Sequence, residues 1–279
     1  MTRGVRFAFV AFACALASGC ITAITTIKLK PDGSGTIEQS VAMKAEVAQQ
    51  FADMAAGFGA ASAKPGAKPV APELFSEKEM REGATKYGEG VTFVSSHPIK
   101  TKEMVGRVAT YAFTDISKVH VNQKPPSPKE GMAPPGKGPE DVLFTFARKP
   151  AGTSLVTVVF PEPDLTKKKP PTPDGKEEPN EKGKHKPDAQ QLEMMKKMFD
   201  GLHIEIALDV AGAIVKTNSP YVQGSKVTLL EMDFSELLTN EKMLETVAEP
   251  NSIEEAKRML QGMKGFKVNL DREVAVEFR

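Results

Sequence analysis

The chain has 279 residues, with 37 basic and 36 acidic side chains, 21 prolines, two cysteines and no tryptophan. A formal charge of +1 supplies no basic face for a phosphate backbone and gives no case for nucleic-acid binding. The length suits one large domain or two small ones.

Residues 1–6 carry Arg3 and Arg6 and no acid, and Phe7 to Leu16 are all apolar or small. A charged head followed by a short apolar run reads as an export signal. Ten residues at about 1.5 Å each reach roughly 15 Å, half of a hydrocarbon core of about 30 Å, so the run is too short to be a permanent transmembrane helix. Leu16-Ala17-Ser18-Gly19-Cys20 resembles the lipobox of bacterial lipoproteins, although Ala17 stands where leucine is usual and Leu16 lies one place early. The resemblance implies a thioether-linked diacylglycerol on Cys20, cleavage between Gly19 and Cys20, and acylation of the new amine. The alternative is ordinary secretion, with Ala15-Leu16-Ala17 as the cleavage site and Cys20 left as a free thiol. Cys14 departs with the signal, and acylation would protect the remaining cysteine in an oxidising compartment. Ile21 rather than aspartate follows Cys20, so the expected address is the outer membrane, periplasmic face. Contact with the membrane is expected through the N-terminal acyl chains.

Loss of residues 1–19 leaves 35 basic against 36 acidic side chains. From there, ITTIKLK and TIEQSV flank PDGSG and read as two strands joined by a glycine turn. Val47, Phe51, Met54, Ala55 and Phe58 recur at helical spacing and predict an amphipathic helix. GVTFVSSHPIK, VGRVATYAF, DVLFTFARK and SLVTVVF follow as strands. Leu192, Met195, Met198, Phe199 and Leu202 form a second helical stripe, after which HIEIALDV and KVTLLEMD read as strands. Asp233 with Glu236 and Ser252 with Glu255 are capping pairs for two further helices, the second ended by Gly265. In FKVNLDREVAVEF the apolar parity is interrupted at Arg272, so the segment is either two strands split by a bend at 271–273 or one long strand.

Sixteen of the 21 prolines fall in 64–72, 124–139 and 161–187. Proline at that density removes backbone donors, so these stretches read as solvated, disordered insertions. The predicted organisation is a signal peptide at 1–19 and a single extracytoplasmic α+β domain over 20–279, interrupted by insertions at 60–72, 124–139 and 161–187. Within it, a mostly antiparallel sheet is expected with several amphipathic helices, because strands and helices come in separate runs.

No nucleophile elbow, P-loop, zinc-protease motif or dinucleotide fingerprint is present. His97, His120, His185 and His203 are not at metal-ligand spacing, so no catalytic residue, metal or cofactor is assigned. MMKKMF at 194–199 gathers polarisable side chains suited to an adaptable apolar surface, with core packing as the plainer alternative. Met195, Met198 and Phe199 are therefore the candidate contacts for an apolar ligand. Lys167, Lys168 and Lys169 sit in the third insertion and read as part of a solvated loop.

VAGAIVKTNSPYVQGSKVTLLEMDFSELL at 210–238, with LKPDGSGTIE, YGEGVTF and VATYAFTDI before it, resembles the LppM-like family of bacterial envelope lipoproteins. The resemblance covers about Cys20 to Leu238 and implies a lipid-anchored α+β domain that binds a ligand or partner and does not catalyse. It places Gly212, Asn218 and Gly224 at positions needing positive φ. The function expected is a non-enzymatic envelope lipoprotein that binds a lipid, glycolipid or protein partner. A structural or assembly factor of the envelope, and a hydrolase with an unrecognised site, are the alternatives.

Overall fold

The computed structural model describes residues 21–49, 75–122, 141–150, 152–161, 201–235, 263–269 and 271–279. The signal at 1–19, Cys20, the insertions at 60–72 and 124–139, and all of 161–187 except Pro161 lie outside them. So do the helical-stripe positions 51–58 and 192–199 and the capping pair at 252 and 255.

The described residues form two sheets. The first contains β1 (Ile21–Leu29), β2 (Gly35–Lys44), β3 (Thr92–Lys100), β4 (Met104–Phe113), β8 (Leu202–Val210), β10 (Val222–Gln223), β11 (Lys226–Asp233) and β12 (Phe266–Val268). Its order is β10-β11-β8-β1-β2-β4-β3, with β12 pairing β11. The second sheet contains β5 (His120–Val121), β6 (Val142–Arg148), β7 (Ser154–Val159), β9 (Ile214–Thr217) and β13 (Glu273–Phe278), in the order β5-β6-β7-β13-β9. Every pairing is antiparallel except β1 with β8.

PDGSG closes the β1–β2 hairpin as its composition dictates. Gly33 takes φ 87°, and Lys30 N donates to Ser34 O at 2.8 Å. The Asp32 carboxylate accepts from the Ser34 amide at 2.9 Å and from its hydroxyl at 2.7 Å. These two bonds hold the Asp32 carboxyl below its ordinary pKa. From this turn, alternation carries Ile27, Leu29 and Ile37 into the core shared with Phe144, Val156, Val158, Val274, Val276 and Phe278 of the second sheet. Burying side chains of this size accounts for about 1.5–3 kcal/mol each.

The fold is therefore mostly β, two sheets packed across one core, and not the α+β arrangement with several amphipathic helices that the sequence predicts. Among the described residues helix is found at 45–49 and 234–235, both at the edge of a described stretch, and at α1 (Glu77–Glu82). Leu202, the last member of the predicted second stripe, belongs instead to β8, where it pairs with Ile21. Its period-two neighbours continue inward, and strand pairing overrides the helical spacing. The C-terminal segment resolves as two strands in different sheets, β12 and β13, on either side of the bend at 271–272.

Helix α1 is not among the elements that the sequence predicts. Ser76 and Glu79 form a capping box, with Glu79 N donating to Ser76 Oγ at 3.2 Å and Ser76 N to Glu79 Oε2 at 3.4 Å. The following turn, Gly83–Tyr87, buries Ala84 and Tyr87 against Tyr111 of β4. The two tyrosine rings lie 4.9 Å apart between centroids. Tyr111 donates to Met80 O at 3.0 Å, and burial pushes its phenol up to about 12.

Strand β11 carries four consecutive buried residues, Val227 to Leu230, because a bulge interrupts its pairing with β8 at Leu229. Asn269, itself buried, spans the irregularity: its Nδ2 donates to Thr228 O at 2.9 Å and Leu229 O at 3.0 Å. Its Oδ1 accepts from Ser219 Oγ at 3.1 Å, so every polar atom of the side chain is used. Replacing Asn269 with alanine strands two buried carbonyls. The expected loss is about 1–3 kcal/mol, read as a lowered urea midpoint at unchanged m-value; a loss under about 0.5 kcal/mol, the range of ordinary surface substitutions, would show that the bulge does not depend on it.

Candidate binding groove on the second sheet

The β6–β7 hairpin turns through residues 149–153, with Lys149 N donating to Thr153 O at 2.8 Å and Gly152 N to Lys149 O at 3.1 Å. Ser154 Oγ donates to Pro31 O at 2.7 Å, which pins this hairpin to the β1–β2 turn. Beside it β13 pairs with β7 on one side and β9 on the other, so Glu277 stands opposite both Leu155 and Lys216. A groove of about 240 Å³ opens there, lined by Lys149, Leu155, Lys216, Thr217, Asn218, Ala275 and Glu277. Leu155 and Ala275 supply its apolar lining, while the hydroxyl, amide and charged groups supply its polar lining.

The electrostatics of the groove centre on Glu277. Its carboxylate accepts from Lys149 Nζ at 2.5 Å and from Thr153 Oγ1 at 2.7 Å. Those two bonds hold the carboxyl below its ordinary pKa; the charges of Lys149 and Lys216 act in the same direction and desolvation opposes them. A carboxylate held ionised by two donors is a poor proton donor at neutral pH, and its low basicity also makes it a weak general base. The arrangement is suited to polar contact more than to proton transfer.

Asn218 works differently from the expectation. Among the described non-glycine residues only Phe75 has a positive φ, so Asn218 is not a left-handed turn position. Its side chain extends the sheet instead: Nδ2 donates to Glu273 O at 2.9 Å and Oδ1 accepts from Ala275 N at 2.8 Å. Gly212 and Gly224 do take positive φ, 137° and 63°. At Gly212 a Cβ would also lie 2.1 Å from Arg279 O, where the chain end pairs with Ala213.

Cys20, Met195, Met198 and Phe199, the site residues predicted from sequence, lie outside the described residues. His97, His120 and His203 fall within β3, β5 and β8 and are not brought together. Among the described residues no three His, Cys, Asp or Glu side chains are grouped to hold a metal, and no helix is long and apolar enough to cross a membrane. The groove pair Lys149 and Glu277 is 128 positions apart, and no local motif announces it. Lys149 is the first residue after β6 and Glu277 the penultimate residue of β13, so neither position stands out in the sequence.

No family model matches the chain, and no curated protein does. Among solved structures, the NMR structure of the folded domain of LppM from Mycobacterium tuberculosis aligns over 94% of this chain and 90% of its own, at 9% identity and a TM-score of 0.32. At that score the likeness is loose.

Glu277 titrates below its unfolded value of 4.5, so its contribution to stability is fully present above that value and is lost as pH falls through the depressed folded pKa. Glu277→Gln should lower the urea midpoint at pH 7, and the difference from the wild type should shrink by pH 3. A difference that grew on acidification would contradict the assigned bonds.

Proposed function

We propose that the chain is a lipid-anchored protein of the bacterial cell envelope, attached through Cys20, that binds a lipid, glycolipid or protein partner and is not an enzyme. The observation that carries the reading is the sequence Leu16-Ala17-Ser18-Gly19-Cys20 at the end of a ten-residue apolar run. It supplies small residues where a signal peptidase needs close backbone approach, and a cysteine with no partner cysteine left in the mature chain. The outer membrane, facing the periplasm, is the destination proposed for it.

The groove favours surface contact over enclosure. Its volume of about 240 Å³ falls below the roughly 300–1,000 Å³ of pockets that bury a small ligand. Its charges are of both signs, and the one carboxylate already accepts from Lys149 and Thr153. Such a surface suits a partner that lays a polar edge across it.

Cys20→Ser tests the anchor. The variant should remain unprocessed or leave the membrane fraction, while intact-mass analysis of the wild type should show a chain starting at Cys20 with acyl mass attached. A mature chain starting at Ser18 with a free thiol would overturn the reading.

A further inference from the structure

The distance between the anchor and the folded domain is set by the register of β1. Ile21, the residue after Cys20, is already in the sheet, opposite Met43 of β2 and Leu202 of β8. Its amide donates to Gly201 O at 3.4 Å. One residue spans at most about 3.6 Å, so no flexible tether separates Cys20 from β1. If Cys20 is acylated, the glycerol backbone of its lipid must lie against the rim of the first sheet.

The same register fixes what else lies on that rim. Lys44 of β2 pairs with Met104 of β4, and Lys100 of β3 pairs with Val105. The β3–β4 turn is tied to the end of β2 by Ala45 N donating to Glu103 O at 2.8 Å. This brings Lys100, exposed Lys102 and the half-buried Lys44 to the level of Ile21, with Glu46 and Glu103 as the nearby acids. On the other side of β1, β11 ends at Asp233 opposite His203, and β12 begins at Phe266 opposite Met232. The Phe234 and Phe266 rings meet edge to face at 5.9 Å, both partly exposed. The rim thus carries lysines on the β2–β3 side of β1 and partly exposed phenylalanines on the β11–β12 side, two groups suited to the headgroup region of a bilayer, where ammonium groups meet phosphates and rings rest at the acyl boundary.

The opposite rim is different. The nine residues of β1 rise about 3.3 Å each, which puts the β1–β2 turn roughly 30 Å from Ile21. The second sheet packs on that far half, against Leu29, Ile37, Tyr111, Phe113 and Val210. Its groove adjoins the far turn through the Ser154–Pro31 bond. Thirty ångströms is about three or more screening lengths at physiological salt, so charges there do not feel the bilayer surface.

We propose that the Ile21 rim of the first sheet seats directly on the phospholipid surface, with Lys44, Lys100 and Lys102 against lipid phosphates, and holds the second sheet and its groove away from the membrane. This rests on the reading of Cys20 as the acylated residue, and the experiment separates the two. The mature acylated chain has no free thiol, because Cys14 leaves with the signal and Cys20 is blocked. Single cysteines at exposed positions, Lys102→Cys on the near rim and Lys30→Cys on the far one, therefore take a fluorophore selectively. The full-length protein, expressed with its signal, is reconstituted into vesicles of zwitterionic and anionic phospholipid carrying a headgroup-attached quencher, and its intact mass is recorded.

Quenching at 102 should exceed that at 30 several-fold. Inserting about a dozen glycine and serine residues between Cys20 and Ile21 should lower the signal at 102 toward the value at 30. Equal quenching at the two positions in protein that carries acyl mass would overturn the seating and leave the anchor standing. A chain without acyl mass on Cys20 would overturn both.

Discussion

Strand β1 is hydrogen-bonded along its whole length, nine residues to β2 on one side and nine to β8 on the other. The rest of the structure depends on that double pairing. Side chains alternate across a strand, so a slip of one residue would turn Ile27 and Leu29 out of the core and bring Lys28 in. The pairing with β8 is also the one parallel contact among the described residues, and it joins positions about 180 apart in the chain. Closing so long a connection costs entropy that grows only slowly with length. It is offset by Ile204, Ile206, Leu208 and Val210, all buried on one face of β8.

What the sequence made legible was local. Apolar patterning located the longer strands of both sheets but not the short β5, β9 and β10, and PDGSG located the first hairpin, because each of those signals is the direct cause of the structure it marks. The capping box Ser76–Glu79 was equally local but was passed over, since the six residues it starts bury none of their own side chains and leave no apolar stripe to notice. Composition could not show which strands share a sheet. The break in apolar parity at Arg272 leaves a bend there as one of two readings, and the structure has it at 271–272, but nothing in the flanking side chains says that β12 and β13 join different sheets. The long-range polar roles were invisible for the same reason. Asn218 is expected at a left-handed turn and Asn269 is marked by no motif, yet one extends the edge of β13 and the other satisfies a bulge about 40 residues away.

The candidate site divides along the same line. The proposed anchor motif is contiguous and can be read without a structure, whereas the groove exists only because β13 lies between β7 and β9. Its Lys149–Glu277 pair is partly exposed, and such pairs contribute little to stability on their own. Their interest is positional: they place fixed charges of both signs beside Leu155 and Ala275 on a face that the core does not use. The resulting division is mechanical. Pairing in the first sheet brings Ile21, the first residue of β1, to one rim, and the second sheet is attached near the other.

Amide hydrogen exchange along β1 tests that central role most directly. If β1 is clamped from its first residue, the amides of residues 21–23 should be protected to nearly the level of residues 206–208 in β8 and should open only with the whole domain. Exchange of the first few amides within seconds, with protection beginning only near Ile27, would contradict the account. It would mean that the strand frays from its start and that a flexible segment separates Cys20 from the fold.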